Sequence, residues 1–308
     1  MTKIKVSLCQ LNFHVGNLDY NFKLIKSYRD KSALNNVDLC IFSELCITGY
    51  PPEDLVLRPS FIDATQSYIN KLIELSKDGG PAILVGYPRF SDSKLMNSAA
   101  LIDNGITTIV DKHHLPNYGV FDEVRVFNTG RVSGPVVFKG IRIGIMICED
   151  MWHKDVTETL IESGAQVLIV INGSPYDQNK EDERLSVAVS RVLESELPLI
   201  YVNQVGGQDE LVFDGGSFVL NSNSKLHVQC SNWKEETCVV DLELNQDKIK
   251  VLTNNLKAQS MGRESDYKAM VIGLRDYVIK NQFNGVILGL SGGIDSALAA
   301  AIATDALG

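Results

Sequence analysis

The sequence predicts an α/β protein in which helices layer a mixed sheet, with a second α/β unit starting near the C-terminal end. Three observations carry this. Apolar runs of strand length alternate with amphipathic stretches of helical period over most of the chain. Strands outnumber helices and several meet in hairpins, which fits a mixed sheet better than a parallel one. Near the C-terminal end, the apolar run GVILGL (285–290) leads through the glycine-rich turn GLSGGIDS (289–296) into a helical stretch.

The elements follow in order. IKVSLCQL (4–11) alternates like a strand, and residues 19–35 are amphipathic and helical. VDLCIF (37–42) is nearly all apolar, as in a strand buried on both faces. A helix is expected over 60–76 with Ser60 as its N-cap. AILVGYP (82–88) and NSAALID (97–103) are strands, and Asn-Gly at 104–105 turns the chain into ITTIVDK. IRIGIMIC (141–148) places Ile141, Ile143, Ile145 and Ile147 on one face, and VLIVIN (167–172) is a further buried strand. The helix at 181–196 carries the stripe Leu185, Ala188, Val189, Val192, Leu193. Four more strand-like runs end near residue 245. Residues 246–265 are polar and weakly patterned and are expected to be a linker. A helix from Asp266 has the stripe Tyr267, Val271, Leu274, Val278, and GVILGL is expected to be a strand. The expected division is therefore 1–245, a linker at 246–265, and the start of a second domain at 266–308.

Composition excludes several classes. A formal net charge of −9 argues against nucleic acid as a partner, since phosphate binding needs a basic surface. The six cysteines form no CxxC, and no short His/Cys spacing suggests zinc, so free thiols in a reducing compartment are expected. No apolar run approaches the ~20 residues that span a bilayer, and the N-terminus lacks the features of a signal peptide. These features point to a cytoplasmic protein with no membrane partner.

Three apolar strands finish on polar residues: Glu44, then Cys148-Glu149-Asp150, then Asn172, Ser174 and Tyr176. Ligands in layered α/β proteins gather beyond the carboxyl ends of strands, so these groups could share a pocket. The loop DKHHLPNYGVFDE (111–123) adds Lys112, His113, His114, Tyr118 and Glu123. Each residue alone has a plainer reading: Cys148 as packing, Glu44 as a strand-end cap, Lys112 as a solvated loop charge. The histidines are rival bases, because cysteine nucleophiles often pair with histidine.

FSELCITGYP (42–51), DKHHLPNYGVFDEVRVF (111–127) and GIMICEDMW (144–152) resemble the three catalytic segments of the nitrilase, or carbon–nitrogen hydrolase, superfamily. The resemblance implies a four-layer αββα sandwich over roughly residues 1–245 and a Glu–Lys–Cys triad: Glu44, Lys112 and Cys148. Glu123 matches a second glutamate often found in that site. The residue types suit acyl transfer. A thiolate attacks, an ammonium favours the thiolate, and one carboxylate serves as base and then acid. Lys112 and the backbone N–H of Glu149 are expected to stabilise the oxyanion. In the glutamine-using branch, residues matching Tyr118, Ser174 and Lys180 hold free L-glutamine; their plainer readings are turn and surface residues.

GLSGGIDS lacks the lysine of a Walker A loop. Gly289, Ser291, Gly292, Gly293 and Ser296 could close around an anion at a helix start, and Asp295 makes sense there if it holds Mg²⁺. The whole string resembles the pyrophosphate-binding loop of the ATP pyrophosphatase family. A nitrilase-like half followed by this loop resembles the glutamine-dependent NAD⁺ synthetase family. That implies ammonia from L-glutamine in the first domain and, in the complete enzyme, ATP- and Mg²⁺-dependent amidation of deamido-NAD in the second. It also implies a homo-oligomer, oligomers being common in the superfamily. The 308-residue chain itself is expected to hydrolyse glutamine and not to make NAD. Competing expectations are a stand-alone amidase or nitrilase acting on another small amide or nitrile, and a non-enzymatic domain that keeps only the fold.

Overall fold

The structure is a computed structural model describing residues 2–178 and 180–308. Two seven-stranded sheets face each other. The first runs, in spatial order, Lys248–Val251, Glu236–Asn245, Thr2–Gln10, Leu39–Ile41, Ala82–Ser91, Lys94–Asp103 and Ile106–Asp111. The second runs Asn255–Leu256, Leu226–Gln229, Phe218–Leu220, Leu199–Asn203, Val167–Asn172, Ile141–Ile147 and Val136–Phe138. In each sheet three central strands are parallel and the strands on either side of them run antiparallel, so both sheets are mixed.

Side-chain alternation explains the layering. Ile141, Ile143, Ile145 and Ile147 meet Val6, Leu8, Ile41 and Leu84 of the other sheet in one buried core. The opposite face of the first sheet packs on α1 (Leu18–Ala33) and α2 (Pro59–Leu75). The opposite face of the second packs on α3 (Lys154–Glu162) and α4 (Lys180–Ser195). The result is the four-layer αββα sandwich expected from the resemblance. No helix among the described residues is long and apolar enough to cross a membrane, and no cysteine among them is disulfide-bonded.

Several expectations need correction. Helix α2 is capped at Arg58 with Pro59 in its first turn, so Ser60 lies inside it and caps nothing. Leu193 is exposed, and Arg184 and Arg191 occupy the inward face of α4 instead. Residues 246–265 do not form a featureless linker. Lys248–Val251 pairs with Leu242–Asn245, and Asn255–Leu256 joins the edge of the second sheet. Helix α5 (Arg263–Lys280) follows, with Ile272 and Val278 buried and Val271 only half-buried. GVILGL forms no strand: no neighbouring strand offers it hydrogen bonds, and Ile287 is fully exposed. Helix α6 (Ile294–Leu307) forms as expected, uncapped by any side chain, and Tyr267 of α5 donates to Asp305 at 2.7 Å. Helix α3 and the single turn Cys148–Trp152 before it were not anticipated.

Candidate active site

Three chain segments bring the candidate residues together. After Leu39–Ile41 the chain turns so that Glu44 is fully buried. This requires a glycine on the next strand: a Cβ at Gly86 would lie 2.2 Å from the backbone nitrogen of Leu45. Lys112 follows Ile106–Asp111 at the other side of the same sheet and is also fully buried. Cys148 ends Ile141–Ile147 on the second sheet in a left-handed conformation, φ 48°, from which the turn Cys148–Trp152 starts. A non-glycine residue in that region is strained and needs support. Asp150 supplies it by accepting the backbone N–H of Ile147 at 3.0 Å, and it also holds the N–H groups of His113 (3.0 Å) and His114 (2.8 Å). The nucleophile segment and the lysine loop are thus tied through one carboxylate.

Lys112 Nζ lies 2.7 Å from Glu44 Oε1 and 2.8 Å from Glu123 Oε2. Burial alone would depress this ammonium, but the Glu123 and Glu44 carboxylates override it and hold its pKa well above the ordinary lysine value. Burial pushes Glu123 up to about 7, against the pull of Lys112 and with help from Glu44. Burial, then Glu44, raises the Cys148 thiol well above its usual range, with Lys112 opposing. Lys112 thus favours the thiolate, while burial and Glu44 favour the thiol and prevail.

Two residues absent from the sequence reading complete the cluster. Asn97 Nδ2 donates to Glu44 Oε1 at 2.8 Å, and Tyr50 Oη donates to Glu123 Oε1 at 3.1 Å. A fully buried asparagine in the strand Lys94–Asp103, next to the apolar run at 99–102, was the available signal for the first. The backbone N–H of Gly173 donates to Glu44 Oε2 at 2.9 Å, linking the second sheet to the base. The histidines lie elsewhere. His114 Nε2 meets Asp155 at 2.8 Å and His113 Nδ1 donates to the carbonyl of Gly130 at 2.8 Å, so neither engages Cys148 as a rival base.

The other predicted contact residues have partners of their own. Tyr118, half-exposed, donates to Glu149 Oε2 at 2.8 Å. Lys180 Nζ lies over the Trp152 ring, 4.3 Å from its centroid, and 3.2 Å from Glu183. Ser174 is buried, and its Oγ accepts from Arg184 Nε at 3.0 Å. Arg184, another residue the sequence reading missed, is buried against Asp214, its Nη1 donating to both carboxylate oxygens at 2.8 and 2.9 Å. In the terminal segment Ser291 and Ser296 are hydrogen-bonded to each other at 3.1 Å, Gly292 has φ +85°, and Asp295 lies in the first turn of α6.

The four-layer αββα frame, with a buried carboxylate and ammonium cluster and the buried thiol of Cys148, is the arrangement expected of the carbon–nitrogen hydrolase class. Residues 5–247 match the carbon–nitrogen hydrolase family model and residues 266–308 the NAD synthase model. The chain belongs to the carbon–nitrogen hydrolase family. A glutamine-dependent NAD(+) synthetase of Rhodobacter capsulatus is 41% identical over 307 residues, which cover 99% of this chain and 55% of that protein. A solved glutamine-dependent NAD⁺ synthetase from Acinetobacter baumannii, in complex with ADP, superposes with a TM-score of 0.92 at 36% identity, covering all of this chain and 58% of its own. An amidase from Nesterenkonia sp. shares the fold, with a TM-score of 0.69 at 22% identity over 78% of this chain. The chain therefore spans about half the length of the synthetases it resembles.

Proposed function

We propose that residues 1–245 hydrolyse L-glutamine to glutamate and ammonia, and that residues 266–308 begin a domain that uses the ammonia to amidate deamido-NAD. The observation that carries the hydrolytic reading is the buried Glu44–Lys112–Glu123 cluster acting on Cys148.

Since burial and Glu44 favour the thiol over the thiolate, attack and proton transfer go together. Cys148 Sγ bonds to the amide carbon while its proton passes to Glu44. Glu44 Oε2 accepts one hydrogen bond from Gly173 and keeps a lone pair for that proton. The oxyanion that forms takes hydrogen bonds from Lys112 and the Glu149 N–H. The C–N bond then breaks, ammonia leaves with the proton from Glu44, and the acyl group remains as a thioester. Glu44, again a carboxylate, takes a proton from the water that attacks the thioester and passes it to the departing Cys148 sulfur, so glutamate is released and the thiol is restored. Glu123, together with Tyr50, keeps Lys112 in place. Tyr118 and Ser174 are proposed to orient the glutamine backbone by hydrogen bonds, and Lys180 to meet its α-carboxylate by charge.

The terminal segment fits a nucleotide's phosphates. No side chain caps the N-terminus of α6, so its first-turn N–H groups lack side-chain partners, and a Cβ at Gly289 or Gly292 would meet nothing within 4 Å. Gly289, Ser291, Gly292, Gly293 and Ser296 would hold the phosphates, with Mg²⁺ on Asp295. ATP bound there supplies an adenylate leaving group that ammonia can displace.

Incubation with a glutamine-mimicking diazo-ketone, read by mass spectrometry, tests the first reading. One adduct on Cys148, absent in Cys148→Ala, and ammonia release from glutamine in preference to a panel of other small amides and nitriles are expected. Labelling elsewhere, or equal turnover across the panel, would sink the glutamine assignment.

A further inference from the structure

The two histidines released from the catalytic cluster converge on Asp155. One ligand atom from each of His113, His114 and Asp155 lies within 4.8 Å of the others. His114 Nε2 is 2.8 Å from Asp155 Oδ1, and His113 Nε2 is 3.7 Å from Oδ2. Ligand atoms about 2.0–2.1 Å from a tetrahedral ion sit roughly 3.3 Å apart, and the two distances to the carboxylate, 2.8 and 3.7 Å, lie on either side of that spacing.

The hydrogen bonds around the cluster orient its ligand atoms: His114 Nε2 donates to Asp155, and an ion would take the place of that proton. His113 Nδ1 faces the carbonyl of Gly130 at 2.8 Å, and a carbonyl only accepts, so Nδ1 carries the proton. His113 Nε2, the ring nitrogen left for a ligand, faces Asp155 Oδ2 at 3.7 Å. A backbone carbonyl fixing the remote nitrogen is also the usual support of a metal-bound histidine. His114 is anchored twice, by its N–H on Asp150 and by His153 stacked on its ring at 3.8 Å.

We infer that His113, His114 and Asp155 form a binding site for a borderline divalent transition metal of the zinc class. Two imidazoles and one carboxylate favour such an ion over Mg²⁺ or Ca²⁺, which prefer all-oxygen shells. All three ligands are partly open to solvent, which leaves room for water as a fourth ligand. The ion would clip the loop after Lys112 to the first turn of α3, beside the segment that carries Cys148. It takes no part in the proposed hydrolysis.

Titration of the whole chain with Zn²⁺, and with Co²⁺ as a spectroscopic probe, tests this. The expected result is one ion per chain, a higher melting temperature with zinc, and a cobalt spectrum without sulfur-to-metal charge transfer. His114→Ala and Asp155→Asn should each weaken binding by more than about tenfold. Both are expected to keep the Cys148 adduct with the glutamine-mimicking diazo-ketone, which shows that they fold. No bound ion, undiminished binding in both variants, or thiolate charge-transfer absorption pointing to the buried Cys230–Glu236–Cys238 group would overturn the proposal.

Discussion

Lys112 and Glu44 meet at 2.7 Å with both side chains fully buried, and Glu123 shares the same ammonium. One cation thus faces two carboxylates away from water. Such a cluster stands only while its ammonium is present: removing Lys112 leaves buried carboxylates unpaired, whereas losing one carboxylate leaves Lys112 paired with the other. Lys112→Ala should therefore cost about 3–5 kcal/mol of stability as well as abolish ammonia release. Glu44→Gln keeps the shape and removes the base. Its turnover should fall by roughly 10²–10⁴ while its melting temperature stays within a few degrees. Parallel melting curves and ammonia assays separate the two effects. A Lys112→Ala chain as stable as the parent would contradict the ion-pair account.

Glu123 gives the cluster a pH signature. The folded chain keeps the Glu123 proton up to about pH 7, while an unfolded glutamate releases it near 4.5. Between those values the folded state binds more protons, so stability is present below the unfolded pKa and is lost as pH rises through the folded one. The contribution is about 3 kcal/mol over that window. Denaturant unfolding at several pH values should show Glu123→Gln with a shallower decline from pH 4.5 to 7. Identical slopes would mean that Glu123 does not hold its proton.

The sequence made the frame and the cluster legible for different reasons. Alternation placed Ile141, Ile143, Ile145 and Ile147 on one face, and those side chains do fill the space between the sheets. Glu44, Lys112 and Cys148 were found because three resembling segments occur in the right order. Asn97 and Tyr50 were not, since a hydrogen bond across 53 or 73 residues leaves no local pattern. GVILGL misled because its strand-like composition is realised only beside a partner strand. Arg184 misled in the opposite sense: a charged residue on the inward face of α4 breaks the apolar stripe, and its reason, Asp214, lies 30 residues away.

That Arg184–Asp214 pair yields the last prediction. Arg184 bonds both oxygens of Asp214, the Ser174 hydroxyl, and the carbonyls of Ser174 and Pro175. Burial alone would depress this guanidinium, but Asp214 overrides it and raises its pKa. Arg184 thus fixes the segment that carries Ser174 toward the site without being placed to touch the reacting atoms. Lysine keeps the charge but not the fork, so Arg184→Lys should loosen Ser174 while sparing the Glu44–Lys112 pair. The KM for glutamine should rise about tenfold, roughly 1.4 kcal/mol of binding, with kcat changed by less than a factor of a few. Lys180→Ala should act in the same direction by removing charge opposite the glutamine α-carboxylate. Steady-state kinetics decide the matter. A fall in kcat at unchanged KM would place Ser174 and Lys180 away from the bound glutamine and return them to their plainer roles as a turn residue and a surface charge.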